Sequence, residues 1–434
     1  MRAAGVALAL ALAGAPLAAQ GGRAGAVAAP DRRVELDVQS LYDHGELGAA
    51  LRALVTAYPE LLSLESLGTS GEGRELWLVT AAGPGALAPE DRPALLALGG
   101  RGEDDVHGAE MALFTLFELV QNHARDPVVA RVLAEHTLYV MPAFDPDRRA
   151  AVLGDTPAAQ RAGVEPDRNL PTDWSPWARG SGPYPLSLPE SRALAEFLAA
   201  HPNVAVLQTY SGAPARRAAL RSTRLPAEDL ELYQRLDAHI AARVDEPGHV
   251  TAFPDLVPVP GSAAGYACVE QGAFGFEVEV AGREGGGLPQ PYEIYLLARR
   301  AWQVTLALAD ALPRLACEAP SVARLKGDQW QVAVRVTNAG LLPTAGAQAR
   351  RRSVVAVPSL RAQGGTLIAA ALRPQGQQVA QPVVLRDGAP RLVEVPGGGS
   401  LELDLFVTAA AETELTLDLS APRAGAASTS VVLR

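Results

Sequence analysis

The hydrophobic pattern of this chain changes period once, near Pro320, and that change decides which folds are open to it. From Tyr42 to about Leu312, short apolar runs alternate with segments of helical spacing. Leu76-Trp-Leu-Val-Thr, Ala94-Leu-Leu-Ala-Leu and Thr137-Leu-Tyr-Val-Met are apolar runs of strand length, as expected of strands buried on both faces. Glu110 to Asn122, Leu188 to Ala200, Glu228 to Val244 and Tyr292 to Leu312 have amphipathic helical periodicity. Buried strands alternating with helices predict a mixed or parallel sheet with helices on both faces. Beyond Pro320 the spacing becomes two: Trp330 to Thr337, Leu401 to Val407 and Leu415 to Leu419 alternate, with Gly, Pro and Asn between the runs. That pattern predicts an antiparallel β-sandwich. The expected organisation is therefore an α/β body over residues 42–317 and a β-sandwich over 318–434.

The chain has 434 residues, enough for two or three separately buried cores. A net charge of -10 leaves no basic field for a nucleic-acid backbone, so nucleic-acid partners are excluded. Residues 1–20 read as a signal peptide: Arg2 supplies the positive end, Val6 to Ala13 the apolar stretch, and Ala15-Pro-Leu-Ala-Ala-Gln a cleavage zone near Ala19. Residues 21–41 read as leader and linker, Gly/Ala-rich as far as Ala29. No later stretch is apolar for long enough to span a bilayer, so the expected product is secreted or periplasmic, without a membrane span. The two cysteines, Cys268 and Cys317, cannot build a cysteine metal cluster; a disulfide between them and two separate thiols both stay open.

Five segments carry a family signature, in order along the chain. They are Tyr58-Pro59 with Gly68-Thr-Ser-Gly-Glu-Gly-Arg74; Tyr139-Val-Met-Pro-Ala-Phe-Asp-Pro-Asp-Arg148; Gly163-Val-Glu-Pro-Asp-Arg-Asn169; Tyr184-Pro-Leu-Ser-Leu-Pro-Glu190; and Gly272-Ala-Phe-Gly-Phe-Glu-Val-Glu-Val280. Together they resemble the zinc carboxypeptidases, over nearly all of residues 42–312. The resemblance implies an eight-stranded mixed sheet flanked by helices. It also implies a Zn²⁺ held by two histidines and a glutamate, with a glutamate base and an arginine for the oxyanion.

Carried onto this sequence, the metal positions fall on Gly102, Asp105 and Ser211, none of them the ligand the family uses. Glycine has no side chain to coordinate with, and a neutral serine hydroxyl is not an ordinary zinc ligand. The general base corresponds to Glu279, with Glu277 two residues away on the same strand face, and the oxyanion arginine to Arg161. On the substrate side stand Asp167, where the family has asparagine, then Arg168, and Cys268 at the tyrosine position with Tyr266 nearby. A second His-x-x-Glu, His107-Gly-Ala-Glu110, offers an alternative metal pair, but it needs an insertion and moves both residues into a helix.

The expectation is an exported, non-catalytic member of that family with no cofactor, whose cleft binds peptides or cell-wall fragments. The alternative is an active zinc enzyme using His107 and Glu110. A third reading makes the sandwich a surface binding module; there Trp330 reads as core and Arg350 to Arg352 as a solvated loop.

Overall fold

The structure is a computed structural model that describes residues 30–101, 107–154, 163–211, 225–244, 250–251, 259–280, 290–376, 379–392 and 394–434. The body is a sheet of β1 (Leu62–Thr69), β2 (Glu75–Ala81), β3 (Ala94–Leu98), β4 (Thr137–Met141), β5 (Val204–Ser211), β6 (Val250–Thr251) and β7 (Phe274–Val280). Its order is β1-β2-β4-β3-β5-β7-β6. Strands β4, β3, β5 and β7 run parallel, with antiparallel strands outside them. The mixed sheet expected from the sequence is present, with seven strands among the described residues where the family resemblance implied eight.

All five residues of β3 and of β4 are buried, because both faces of the sheet are covered. Leu95 and Ala97 enter one core with α1 (His44–Ala57), α2 (Gly108–Asn122), α3 (Pro127–Glu135) and, past α4 (Pro146–Leu153) and α5 (Pro189–Ala200), α6 (Ala227–Ala241). Leu96 and Leu98 enter the opposite core with α5 and α7 (Ala263–Val269). The long α8 (Pro291–Asp310) closes the first face. Val34, Leu36 and Val38, from the segment read as linker, pack on that same core.

One buried histidine makes the body acid-sensitive. His136 lies between α3 and β4, fully buried, with Nε2 3.3 Å from the Pro313 carbonyl and Nδ1 without a partner among the described residues. Burial holds its imidazole down to about 4, against a pull upward from that carbonyl. An unfolded histidine takes up a proton near pH 6.5, so the folded state loses stability as pH falls from 6.5 towards 4. His136→Gln should flatten this part of the curve, by on the order of 3 kcal/mol at its acid end. Urea titrations of both proteins at several pH values measure it; parallel curves would refute the assignment.

The C-terminal residues form β8 (Leu315–Cys317), β9 (Ser321–Arg324), β10 (Gln329–Asn338), β11 (Ser359–Gln363), β12 (Thr366–Pro374), β13 (Gln381–Val383), β14 (Leu385–Arg386), β15 (Ala389–Pro390), β16 (Ser400–Thr408), β17 (Glu414–Ala421) and β18 (Gly425–Val432). Two antiparallel sheets, β13-β12-β16-β10-β8 with β9 on β10, and β11-β17-β18, enclose a third core around the fully buried Trp330. Strand β8 lies before the 317/318 boundary read from the sequence, yet pairs with β10.

Body and tail meet through side chains that answer main-chain groups. Arg423 reaches the carbonyls of Gly272 (2.5 Å), Gln271 (2.7 Å) and Pro202 (3.3 Å). Asp229 on α6 accepts the N–H groups of Ala347 (2.7 Å) and Gln348 (2.6 Å) at the start of α9 (Ala347–Arg352). Gln348 in turn donates to the Val269 carbonyl at 2.7 Å. Gly272, at φ +61°, is the residue that allows this closeness, since a Cβ there would lie 2.4 Å from the Ala349 Cα.

Candidate functional site

In this sheet order the chain leaves β3 towards β4 on one side and returns to β5 on the other. A crevice at such a reversal, outside the carboxyl ends of parallel strands, is where α/β sheets place ligands. Arg101 stands there, just beyond β3. Its Nη1 donates to Asp167 Oδ2 at 2.5 Å and its Nε to the Tyr210 carbonyl of β5 at 3.3 Å. The other Asp167 oxygen accepts the Ala263 N–H at 2.7 Å, at the start of α7. One guanidinium and one carboxylate therefore join β3, β5, α7 and the 3-10 turn Pro166–Arg168.

Glu277 of β7 completes the charged group. Burial pushes its carboxyl upward, Arg101 pulls it down, Asp167 pushes it up and Arg168 pulls it down. Arg168 donates its Nε to Glu165 at 2.9 Å, and Glu165 also takes Arg148 Nη2 at 3.1 Å. Glu165 is its hydrogen-bonded partner among the described residues, and the Arg168 side chain is 38% exposed. Asp145, the N-cap of α4, is pushed by burial to about 7 against the Arg148 N–H it accepts.

The residues picked out from the sequence do not all gather here. Asp167 and Arg168 do. Cys268 does not: on α7 it is buried, its thiol 3.2 Å from the Tyr233 hydroxyl of α6 and pushed by burial to about 11. Tyr266 is half-buried and accepts from Gln271 at 2.9 Å. Both cysteines are free thiols.

His107 caps α2 with Nδ1 unpartnered among the described residues, and burial followed by Arg149 holds its imidazole down to about 4. Glu110 accepts the Tyr42 N–H at 2.9 Å and is ion-paired with Arg149 of α4. That carboxylate faces Leu36, Val38 and Phe114, tying the segment before α1 to the body. Gly102, Asp105 and Arg161, and the side chains of Ser211 and Glu279, lie outside the described residues. Among the described residues no three His, Cys, Asp or Glu side chains gather to hold a metal.

Glycine, aspartate and serine stand at the positions the resemblance marks for ligands, and the adjoining Arg101 brings a fixed positive charge to the same strand ends. Sequence reasoning passed over Arg101. Its only signal was an arginine inside Gly99-Gly-Arg-Gly, a loop too short of side chains to hold a charge without a partner elsewhere.

A family model described as zinc carboxypeptidase matches residues 47–304, and one described as a domain of unknown function (DUF8731) matches 314–432. Carboxypeptidase B of Astacus astacus is 30% identical over 151 residues, 32% of this chain and 47% of that protein. Carboxypeptidase D of Mus musculus is 26% identical over 115 residues, 26% of this chain and 8% of that protein. The matched segments span less than half the length of each of these relatives. Among solved structures, carboxypeptidase A from Helicoverpa armigera superposes with a TM-score of 0.50 at 16% identity, covering 63% of this chain and 74% of that one, a likeness of fold. No helix among the described residues is long and apolar enough to cross a membrane. With that family's model matched over more than half its length, and an architecture of the same kind beneath the match, the chain belongs to the zinc carboxypeptidase family.

Proposed function

We propose that this is a non-catalytic, exported zinc-carboxypeptidase-family protein whose cleft binds peptides by their terminal carboxylate. The observation that carries the reading is the Arg101 guanidinium, held by Asp167 and the Tyr210 carbonyl one residue from the positions of two lost ligands. A second cation at that place would meet Arg101 rather than three donors, and without a metal Glu277 and Glu279 have no bound water to activate. Arg168 keeps the chemistry of carboxylate recognition: a planar guanidinium, partly exposed, braced at one edge by Glu165. Export rests on the leader-like pattern from Arg2 to Ala19.

Metal analysis tests the catalytic half of this. Protein expressed with zinc and purified without chelators should carry less than about 0.1 equivalent of the metal, and should leave acylated dipeptides with free C-termini uncleaved. One equivalent of zinc, lost on His107→Ala, would instead establish the His107/Glu110 site and an active enzyme.

A further inference from the structure

We propose that residues 170–188 form a recognition loop that offers the indole of Trp177 to an apolar, preferably aromatic, side chain of the peptide whose carboxylate reaches Arg168. This rests on the peptide-binding reading of the cleft and specifies what that cleft selects.

The loop is fastened from its first residue. Asn169, directly after Arg168, is fully buried, and its Nδ2 donates to the carbonyls of Ser181 (2.7 Å) and Tyr184 (2.9 Å) and to Ser187 Oγ (2.9 Å). Its Oδ1 accepts the Leu188 N–H at 3.0 Å. The Trp174 indole donates to the same Ser181 carbonyl at 2.7 Å. The far side of the loop is bound back to the Arg168 segment, the Gly180 carbonyl accepting at 2.8 Å from the N–H of Glu165, the partner of Arg168. Leu186 takes a left-handed backbone angle, φ 60°, which a bulky residue holds only when its surroundings over-determine it.

On this fixed loop Trp177 is 92% exposed and Tyr184 is 60% exposed, whereas Trp77, Trp302 and Trp330 are all buried. An exposed indole on a slack loop needs no explanation. One on a loop held this firmly has given up its own burial while keeping a fixed backbone, so a partner that covers it loses little chain entropy on binding. Tryptophan and tyrosine on a rigid loop are the residue types of binding hot spots. A peptide is favoured over a sugar because the loop is anchored on the residue next to Arg168 and folds back onto that arginine's partner. A neutral sugar has no carboxylate to place there.

The probes are acetylated pentapeptides with a free C-terminus: one of alanine alone, and four with a single phenylalanine at successive positions before the last residue. Binding is read by calorimetry and by tryptophan emission. The all-alanine peptide should bind weakly, lose binding on Arg168→Gln, and be unaffected by Trp177→Ala. At least one phenylalanine peptide should bind about 10-fold tighter, shift emission to the blue, and lose that gain on Trp177→Ala. If the alanine peptide binds through Arg168 but phenylalanine adds nothing, or Trp177→Ala keeps the gain, the loop assignment is overturned and the cleft reading stands. If no peptide binds, both fall. A chito-oligosaccharide that binds through Trp177 while no phenylalanine peptide gains affinity would also overturn the proposal.

Discussion

Arg149→Met should lower the free energy of unfolding by about 3–5 kcal/mol, because it strands a buried carboxylate. The Arg149 and Glu110 side chains are only 4% and 5% exposed, and Arg149 also donates to the Tyr42 carbonyl at 2.7 Å. Burial alone pushes the Glu110 carboxyl upward, and Arg149 is the largest influence opposing it. Without that arginine the carboxyl must fold protonated or fold at high cost. The loss should therefore be smaller near pH 4 than at pH 7, since the stability contribution of a raised carboxyl is full below its unfolded pKa and is lost as pH rises through the folded one. Glu110→Leu combined with Arg149→Met should recover most of the loss, because an apolar pair of similar volume leaves nothing unpaired. Denaturant unfolding of the two variants measures this. A single variant within 1 kcal/mol of the parent would mean that Glu110 is not held as described. The result also bears on the alternative metal pair, since a carboxylate needed to close the fold is poorly placed to leave Arg149 for an ion.

The second large effect is expected at Arg423. Its three carbonyl acceptors belong to Pro202 and to Gln271 and Gly272, the last two just before β7. Arg423→Met leaves those oxygens buried without a donor, at about 1 kcal/mol or more each. It also removes a guanidinium that burial lowers to about 10, and this offsets part of the cost. A net loss of about 2–3 kcal/mol is expected, with faster amide exchange in β7 than in β4. Since β7 carries Glu277, the variant should loosen the strand under the Arg101–Asp167–Glu277 group from a residue in the tail. Unchanged exchange in β7 would sever that connection.

Much of the fold was legible because the buried strands are continuous apolar runs. Ala94–Leu98 and Thr137–Met141 are strands over the residues read from the sequence, and the helix read from Glu110 begins at Gly108. Those elements are decided by local pattern. The short tail strands, such as Leu385–Arg386 and Ala389–Pro390, carry no period long enough to recognise. The site was less legible, since its contacts join residues far apart in sequence. Asp167 reads from the sequence as a substrate-side residue standing where the family has asparagine; in the fold its charge is met by Arg101, 66 residues earlier. Cys268 occupies a substrate position by resemblance, yet its thiol meets Tyr233 in the core beneath α7. Motif order could place both residues on the chain. It could not say which neighbours the folded backbone would bring to them.

The seam at Asp229 has a consequence for heredity. Its carboxylate on the body side accepts two main-chain N–H groups from the tail, and Gln348 on the tail side donates to the Val269 carbonyl of the body. Two halves joined by a loose linker can be shuffled by recombination with little penalty. Here a crossover near residue 313 would leave each half with buried polar groups that the new neighbour has no reason to satisfy. Descent should therefore have kept the two halves as one block, each half inherited with the neighbour that satisfies its buried polar groups.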